Sequence, residues 1–149
     1  MIFITYESEE YPIKVLSEES FLDTAVNSIT FPEDSELQII ENNALNSDLK
    51  KIYLPASVNE LKEGWCRYVK YISEILVSPE NKYFQNYDKD ILIGESDPQN
   101  ETFDTLYFVS RYVKQVAIPP FIKKINSFAF SNCNKLFLVN LKFFRKFRT

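Results

Sequence analysis

The two cysteines, Cys66 and Cys133, are the side chains in this sequence that are best suited to act as nucleophiles. A thiol becomes reactive when a base or a cation lowers its pKa, and His is the commonest base in such pairs. The 149 residues contain no His, which excludes Cys–His and Ser–His pairs and every zinc site that needs His. Two cysteines are also too few for a disulfide framework or a four-thiolate metal site. We therefore expect both to be free, buried thiols.

The sequence contains no motif of the other common enzyme classes either. Glycine occurs only at Gly64 and Gly94, so a phosphate-binding P-loop and a G-x-G-x-x-G dinucleotide turn are both excluded. An enzyme would have to rely on carboxylates or on Ser–Lys chemistry, and no spacing favours either. We expect neither catalysis nor a cofactor, and we keep an enzyme only as a distant alternative.

A group of acidic residues between positions 80 and 111 raises the question of calcium. The group fails the EF-hand pattern, because Leu92 and Ile93 stand where a ligand and the turn glycine belong. We predict a solvated acidic loop and no metal site. Asn100-Glu101-Thr102 is a glycosylation sequon, which matters only if the chain is secreted. The acids are Asp88, Asp90, Glu95, Asp97, Glu101 and Asp104.

Charge is distributed unevenly along the chain. Residues 1–104 hold all 21 acidic residues and 8 basic ones, whereas residues 105–149 hold 9 basic residues and no acid. The last segment, Lys142 to Thr149, mixes bases with aromatic residues, a combination that also binds single-stranded nucleic acid or an anionic membrane. Because the rest of the chain is acidic, we do not expect nucleic acid or a membrane as a partner and predict a strand edge or frayed end.

Length and hydrophobicity indicate one folded domain. The chain has 149 residues, of which 45% are hydrophobic, enough to bury a continuous core. Its N-terminus carries no basic region before Glu7, and no apolar run approaches the roughly 18 residues of a membrane-spanning helix. These features predict a cytoplasmic location, or export by a route that the sequence does not display.

The strongest pattern is an apolar frame of the form Φ-x-x-Φ-x-Φ that occurs five times. Its central residues are separated by 23, 23, 41 and 23 positions, so one interval contains a period and an 18-residue insertion. A proline follows the frame at Pro32, Pro55 and Pro119, and one place later at Pro79. We predict that all frame residues are core: Val26, Ile29, Phe31, Leu49, Ile52, Leu54, Ile72, Ile75, Val77, Val113, Val116, Ile118, Leu136, Val139 and Leu141.

This repeat predicts a solenoid, because no 23-residue unit can bury its apolar side alone. The fold class is α/β and β-dominated, with a short parallel sheet on one face and about one helical turn per coil. We predict a single domain: a degenerate N-terminal segment at 1–25, with a degenerate strand at Ile2 and Ile4, coils at 26–79 and 112–141, and a tail at 142–149. Residues 80–111 are predicted to form a hairpin that projects from one coil, because two short apolar runs flank a turn-rich segment.

Residues beside the apolar centre of each strand point away from the core. We predict that they form a partner-binding face, with an ordinary solvated sheet as the alternative. Trp65 is expected to fill the core and not to bind a ligand. The residues of the predicted face are Lys51, Tyr53, Glu74, Leu76, Gln115 and Leu138.

The best unit of the repeat resembles the BspA-type leucine-rich repeat, a family of mostly cell-surface protist and bacterial proteins. Ile118-Pro119, Ile122, Ile125, Ala129-Phe130, Cys133, Leu136 and Val139 match its pattern. Leu54-Pro55, Val58 and Leu61 repeat its first half, whereas Trp65-Cys66 replaces the family's Ala-Phe. The resemblance implies a right-handed leucine-rich-repeat solenoid, a location at the cell surface, and no catalytic residues; Cys133 is then a packing residue.

The function that we predict is a non-catalytic protein-interaction or adhesion module. Its partner is a protein, and the opposite charges of its two ends also predict head-to-tail self-association. The alternative is a truncated or decayed repeat array that has lost its binding function.

Overall fold

The fold is described here from a computed structural model, which covers residues 3–6, 9–97, 99 and 102–141. Its strands are β1 (Phe3–Tyr6), β2 (Glu9–Pro12), β3 (Val15–Leu16), β4 (Ser28–Ile29), β5 (Ile39–Ile40), β6 (Lys51–Leu54), β7 (Glu60–Leu61), β8 (Glu74–Val77), β9 (Phe84–Asn86), β10 (Ile91–Gly94), β11 (Thr105–Val109), β12 (Gln115–Ile118), β13 (Lys124–Ile125) and β14 (Leu138–Leu141). They form a β-solenoid of about five turns.

The apolar frames form the front strands β4, β6, β8, β12 and β14. Ile29 lies opposite Ile52, and Ile52 lies opposite Ile75, in parallel pairs of the sheet β4-β6-β8. Val116 lies opposite Val139 in a second parallel sheet, β12-β14. The 23-residue spacing therefore produces the predicted register, because parallel neighbours one coil apart place equivalent residues side by side.

The opposite side of each coil differs from the prediction. The back strands β3, β5 and β7 form a parallel sheet, and the predicted helical turn per coil is wrong: the described residues contain no helix. The N–H groups of Glu60 and Lys62 donate to the carbonyls of Gln38 and Ile40, at 3.1 and 2.9 Å. Backbone groups on this side are thus paired between coils, and isolated i→i+3 turns such as Trp65 N to Lys62 O remain at the corners.

The insertion forms the predicted hairpin, but it does not project. β10 pairs antiparallel with β11 and with β9, and all four residues of β10 are buried. Leu92 and Phe108 pack in the core of the N-terminal coils, whereas Ile93 and Val109 pack in the core of the C-terminal coils. A projecting hairpin would expose one of these faces. The insertion is instead an inner layer between two halves of the solenoid, and β11 continues into a parallel pair with β13.

Most frame residues lie in the core, with an exception at the last coil. Val26, Phe31, Val77 and Leu136 are half-buried. Val139 and Leu141, which we predicted as core, are 41% and 51% exposed. The reason is that β14 pairs only with β12 among the described strands. The fully buried or nearly buried members are Ile29, Leu49, Ile52, Leu54, Ile72, Ile75, Val113, Val116 and Ile118.

The N-terminal segment contains more structure than one degenerate strand. β1 and β2 form an antiparallel hairpin, and β3 pairs parallel with β5, which brings Leu16 into the core. Ile4 lies in β1, whereas Ile2 lies outside the described residues. The segment thus begins the back sheet one coil earlier than the first apolar frame.

Candidate protein-interaction surface

Four residues of the predicted face lie together on β6 and β8. The register places Lys51 beside Glu74 and Tyr53 beside Leu76, and the Lys51 ammonium lies 3.0 Å from the Glu74 carboxylate. The Tyr53 hydroxyl lies 3.3 Å from Glu33 Oε1, to which it donates a hydrogen bond. Because these groups are half-exposed, the ion pair orients the side chains and adds little stability.

The other two residues of the predicted face are in a different sheet. Gln115 and Leu138 lie opposite each other on β12 and β14, and both are exposed. No hydrogen-bonded ladder joins β8 to β12 among the strands described. The six residues therefore do not form one continuous sheet surface.

The turn between β9 and β10 occupies the space between these two front sheets. The side-chain amide of Asn86 donates to the carbonyl of Ile75 on β8, at 2.9 Å. Next to it, the ring of Tyr87 lies 5.8 Å from that of Phe121, which follows β12. The backbone carbonyl of Asp90 accepts a hydrogen bond from the backbone N–H of Ser110, at 2.8 Å. This turn therefore contacts the chain on both sides and becomes part of the front surface.

A groove of about 460 Å³ lies between β8 and this turn, and we call it the front groove. Its apolar wall includes Leu76, which is 39% exposed, and its charged walls carry Glu74, Asp88 and Lys89. The volume is within the range of small binding sites, roughly 300–1,000 Å³. Sequence reasoning found Glu74 and Leu76 but missed Asp88, Lys89, Tyr87 and Phe121 as surface partners. Their contribution depends on long-range packing of the insertion, for which the sequence gives no local signal.

Arg111 fixes the insertion between the two halves. Its guanidinium is buried and donates to carbonyls on both sides: to Cys66 and Val69, each at 3.1 Å, and to Ala129 at 2.8 Å. It also lies 4.4 Å from the centre of the Phe108 ring. A buried charge is tolerated only when hydrogen bonds replace its hydration. These carbonyls supply that replacement, so Arg111 connects three parts of the chain.

The cysteines lie beside the same guanidinium. Burial raises the pKa of the Cys66 thiol to about 11, although the nearby Arg111 acts in the opposite direction. Burial likewise raises the pKa of Cys133, whose sulfur lies 3.7 Å from the carbonyl oxygens of Val109 and Ser110. Both thiols are free. Their raised pKa values favour the protonated form, which acts as a weak hydrogen-bond donor and not as a nucleophile.

Acidic residues of the insertion are engaged with the chain itself. Asp104 is buried, accepts a hydrogen bond from the backbone N–H of Ser96 at 3.1 Å, and lies 3.6 Å from the Lys123 ammonium. Asp88 and Asp97 accept hydrogen bonds from the N–H groups of Asp90 and Gln99. The sequon residue Asn100 and the tail Lys142 to Thr149 lie outside the described residues. Trp65 is buried in the core, next to Phe108.

Comparisons with known proteins agree with this architecture. The crystal structure of the pneumococcal vaccine antigen PcpA is similar to this chain with a TM-score of 0.61 and 22% identity, over 86% of this chain and 37% of that one. A leucine rich cell surface protein from Faecalibacterium prausnitzii has a TM-score of 0.52 and 14% identity, over 82% and 43%. The chain thus spans less than half the length of either structure. The comparison with curated proteins returned no match.

The described part of the chain contains no helix that is long and apolar enough to cross a membrane. The two solved structures, at these identities, support the fold alone. A family model matches much more of the sequence: the BspA type leucine rich repeat region, in six copies, covers residues 4–88 and 100–147. The chain therefore belongs to the BspA-type leucine-rich-repeat family and is a repeat module.

Proposed function

We propose that this repeat module is non-catalytic and binds a protein partner through its front surface, with the front groove at the centre of the contact. The observation that carries the proposal is the position of Leu76. A large aliphatic side chain is 39% exposed at the wall of a groove of about 460 Å³, between charged residues of both signs. An apolar contact inside a polar rim is the usual arrangement of a binding hot spot.

In this proposal, each residue around the groove has its own role in binding. Leu76 contacts an apolar side chain of the partner. Glu74, Asp88 and Lys89 form the rim and select charge. Tyr87 and Phe121, a pair of exposed rings beside the turn, extend the contact toward β12, where Gln115 and Leu138 lie further along the front.

We place the module at a cell surface, as an adhesion protein. The family resemblance supports this location, and one similar structure is named a cell surface protein. Labelling intact cells with a membrane-impermeant biotin reagent tests the location, because a surface protein is labelled before the cells are opened. Labelling only after lysis would contradict it.

The binding test compares two equally exposed apolar residues. Leu76→Lys changes the front groove, whereas Val15→Lys changes an apolar residue on back strand β3, with exposures of 39% and 37%. Both variants are immobilised and used to capture proteins from a cell lysate and from an extracellular-matrix extract. The proposal predicts a saturable partner that wild type and Val15→Lys retain and that Leu76→Lys loses.

Retention of the same partner by Leu76→Lys would show that the front groove is not the site. Absence of any saturable partner in both extracts would favour the alternative, a repeat array without a retained binding function. Unfolding curves for each variant are recorded first, so that a loss of binding is not mistaken for a loss of fold.

A further inference from the structure

The back strands follow a regular hydrogen-bonding rule. In each coil, the backbone N–H groups of a back strand donate to two carbonyls of the preceding back strand. For example, Lys124 N donates to Asp104 O at 3.3 Å, and Asn126 N donates to Leu106 O at 2.9 Å. The carbonyls that accept such bonds are those of Lys14 and Leu16, of Gln38 and Ile40, and of Asp104 and Leu106.

β7 is the exception to this rule. Its equivalent carbonyls are those of Asn59 and Leu61, but β7 is the edge of the sheet β3-β5-β7. The next back strand, β11, pairs with β10 and β13 instead. The insertion therefore interrupts the back ladder after β7 and leaves a strand edge in the middle of the described array. The other back strands at a sheet edge, β3 and β13, are the first and the last back strands described.

A cleft of about 320 Å³ lies at this edge, and we call it the back cleft. Leu61, Trp65 and Tyr107 contribute apolar surface, and Ser127 lies on the wall formed by the segment that follows β13. Burial raises the pKa of Tyr107 above its ordinary value, which keeps the hydroxyl neutral. The cleft therefore combines an apolar floor with two backbone carbonyls, those of Asn59 and Leu61, that accept no backbone hydrogen bond from the described residues.

Charged residues around the back cleft also favour a particular charge on a bound peptide. Glu60, Lys62 and Glu63 lie on the wall formed by β7 and the residues that follow it, and Lys62 forms an ion pair with Glu60. Lys124 on β13 lines the same cleft. No ion pair engages Glu63 within the described residues. A strand placed beside β7 gains cross-strand attraction if it carries a base toward this wall.

We infer that the back cleft binds an extended peptide segment of a protein partner, which adds to β7 as a parallel strand. Its N–H groups donate to Leu61 O and Asn59 O, an aliphatic side chain packs on Leu61, and a basic side chain faces the acidic wall. This mode is β-strand addition, in which main-chain bonds provide affinity and side-chain contacts provide specificity. It goes beyond the proposed function, because the back cleft and the front groove lie at different sheets and either can fail alone.

The test uses a peptide copied from this chain, because β13 already makes the required ladder. The probe is a fluorescein-labelled peptide with the sequence of residues 121–127, FIKKINS. In the intact chain the N–H of Asn126 donates to the preceding back strand, so the same N–H of the probe is expected to donate to Leu61 O. Two control probes carry one N-methyl group, at the position of Asn126 or at that of Ile125.

We expect saturable binding of the probe in fluorescence anisotropy. N-methylation at the Asn126 position removes one ladder bond and clashes with β7, which should weaken binding at least about tenfold. N-methylation at the Ile125 position points to the other edge of the probe and should leave binding within about threefold. In the protein, Ser127→Trp fills the cleft and should abolish binding, whereas Ser127→Ala should bind like wild type.

Three results would overturn the inference: no saturable binding of the unmodified probe, equal weakening by both N-methyl groups, or unchanged binding by Ser127→Trp. The N-methyl probes are measured on wild-type protein, so their outcome does not depend on the folding of any variant. The variant Leu76→Lys tests whether the two sites are independent. It should bind the probe like wild type even if it no longer binds a partner at the front groove.

Discussion

The Nη2 of Arg111 donates a hydrogen bond to the backbone carbonyl of Cys66 across 3.1 Å, although the two residues are 45 positions apart. The same guanidinium reaches Ala129 O at 2.8 Å on the other side of the insertion. One side chain thus connects the coils before and after the inserted layer. The insertion is held inside the solenoid by this contact and by apolar packing on both of its faces.

Replacement of Arg111 should therefore destabilise the whole chain. Arg111→Met retains much of the apolar stem but removes the charged donor of the carbonyls of Cys66, Val69 and Ala129. The carbonyls of Cys66 and Ala129 keep a backbone donor, from Val69 and Val109. Each lost bond to a charged group is worth about 1.5–3 kcal/mol, so we expect a loss of at least about 3 kcal/mol in the free energy of unfolding. Urea unfolding measures it.

Arg67→Met is the matched control for this variant. Arg67 is exposed and lies over the rings of Tyr68 and Phe128, so its replacement should cost about 1 kcal/mol or less. Equal unfolding curves for the two variants would contradict the bridging role of Arg111.

Gly64 occupies a position that a side chain cannot share. Its φ is +80°, and an added Cβ would overlap the Asn42 carboxamide. Gly64→Ala should lower stability by about 1–3 kcal/mol, because the left-handed backbone and the overlap both oppose the new methyl group. The double variant Gly64→Ala with Asn42→Ala should recover part of the loss, since it removes the overlap and leaves the backbone strain. No recovery in thermal or urea unfolding would show that overlap plays no part.

Asp104 should make stability depend on pH. Hydrogen bonding from Ser96, together with the charge of Lys123, outweighs the opposing effect of burial and holds the pKa of this carboxyl below its ordinary value. The contribution of Asp104 to the free energy of unfolding is complete above the pKa that an Asp has in the unfolded chain, about 3.9. It is lost as the pH falls through the lower pKa of Asp104 in the folded protein.

Asp104→Asn tests this dependence. The variant should be less stable than wild type at pH 7, and the difference should shrink as the pH is lowered below about 4. Urea midpoints at a series of pH values measure both. A difference that stays constant down to pH 2 would contradict the assignment.

Head-to-tail self-association stays a prediction, and it can be tested at β14. Leu138, Val139 and Leu141 are exposed on β14, and the region after residue 104 carries only bases. We propose that this end contacts the acidic N-terminal part of a second copy, so dimers or short chains should form at tens of micromolar and decrease as salt screens the charges. Sedimentation at low and high salt measures this for wild type and for a chain ending at Leu141. A wild-type chain that is monomeric in low salt would contradict the proposal.

The sequence was sufficient for the front strands and insufficient for the insertion, and the reason is physical. Frames that recur every 23 residues place equivalent residues side by side when the coils stack. The sequence therefore predicted that Ile29, Ile52 and Ile75 are neighbours. The short runs Ile91-Leu92-Ile93 and Leu106 to Val109 form strands in a projecting hairpin as well as in a buried one. Their lack of polar alternation is typical of strands covered on both faces, but runs of three or four residues are too short for this signal to decide between the two arrangements.

The proximity of the candidate surface residues could be predicted only where it depends on the repeat. Lys51, Tyr53, Glu74 and Leu76 lie side by side because β6 and β8 are one period apart. Asn86 beside Ile75 and Tyr87 beside Phe121 come from the folded insertion, and no local pattern encodes such contacts. The back cleft also depends on the insertion, because β11 pairs with β10 and β13 and not with β7.

Hydrogen exchange of the insertion tests the central claim most directly, namely that an inserted layer lies inside the solenoid and opens both the front groove and the back cleft. The account predicts that the amides of Leu92 and Ile93 exchange as slowly as that of Ile52, near the limit set by global unfolding. The amide of Lys89, in the exposed turn, should exchange much faster. Rapid exchange of Leu92 and Ile93, comparable to that of Lys89, would show a projecting hairpin and would contradict the account.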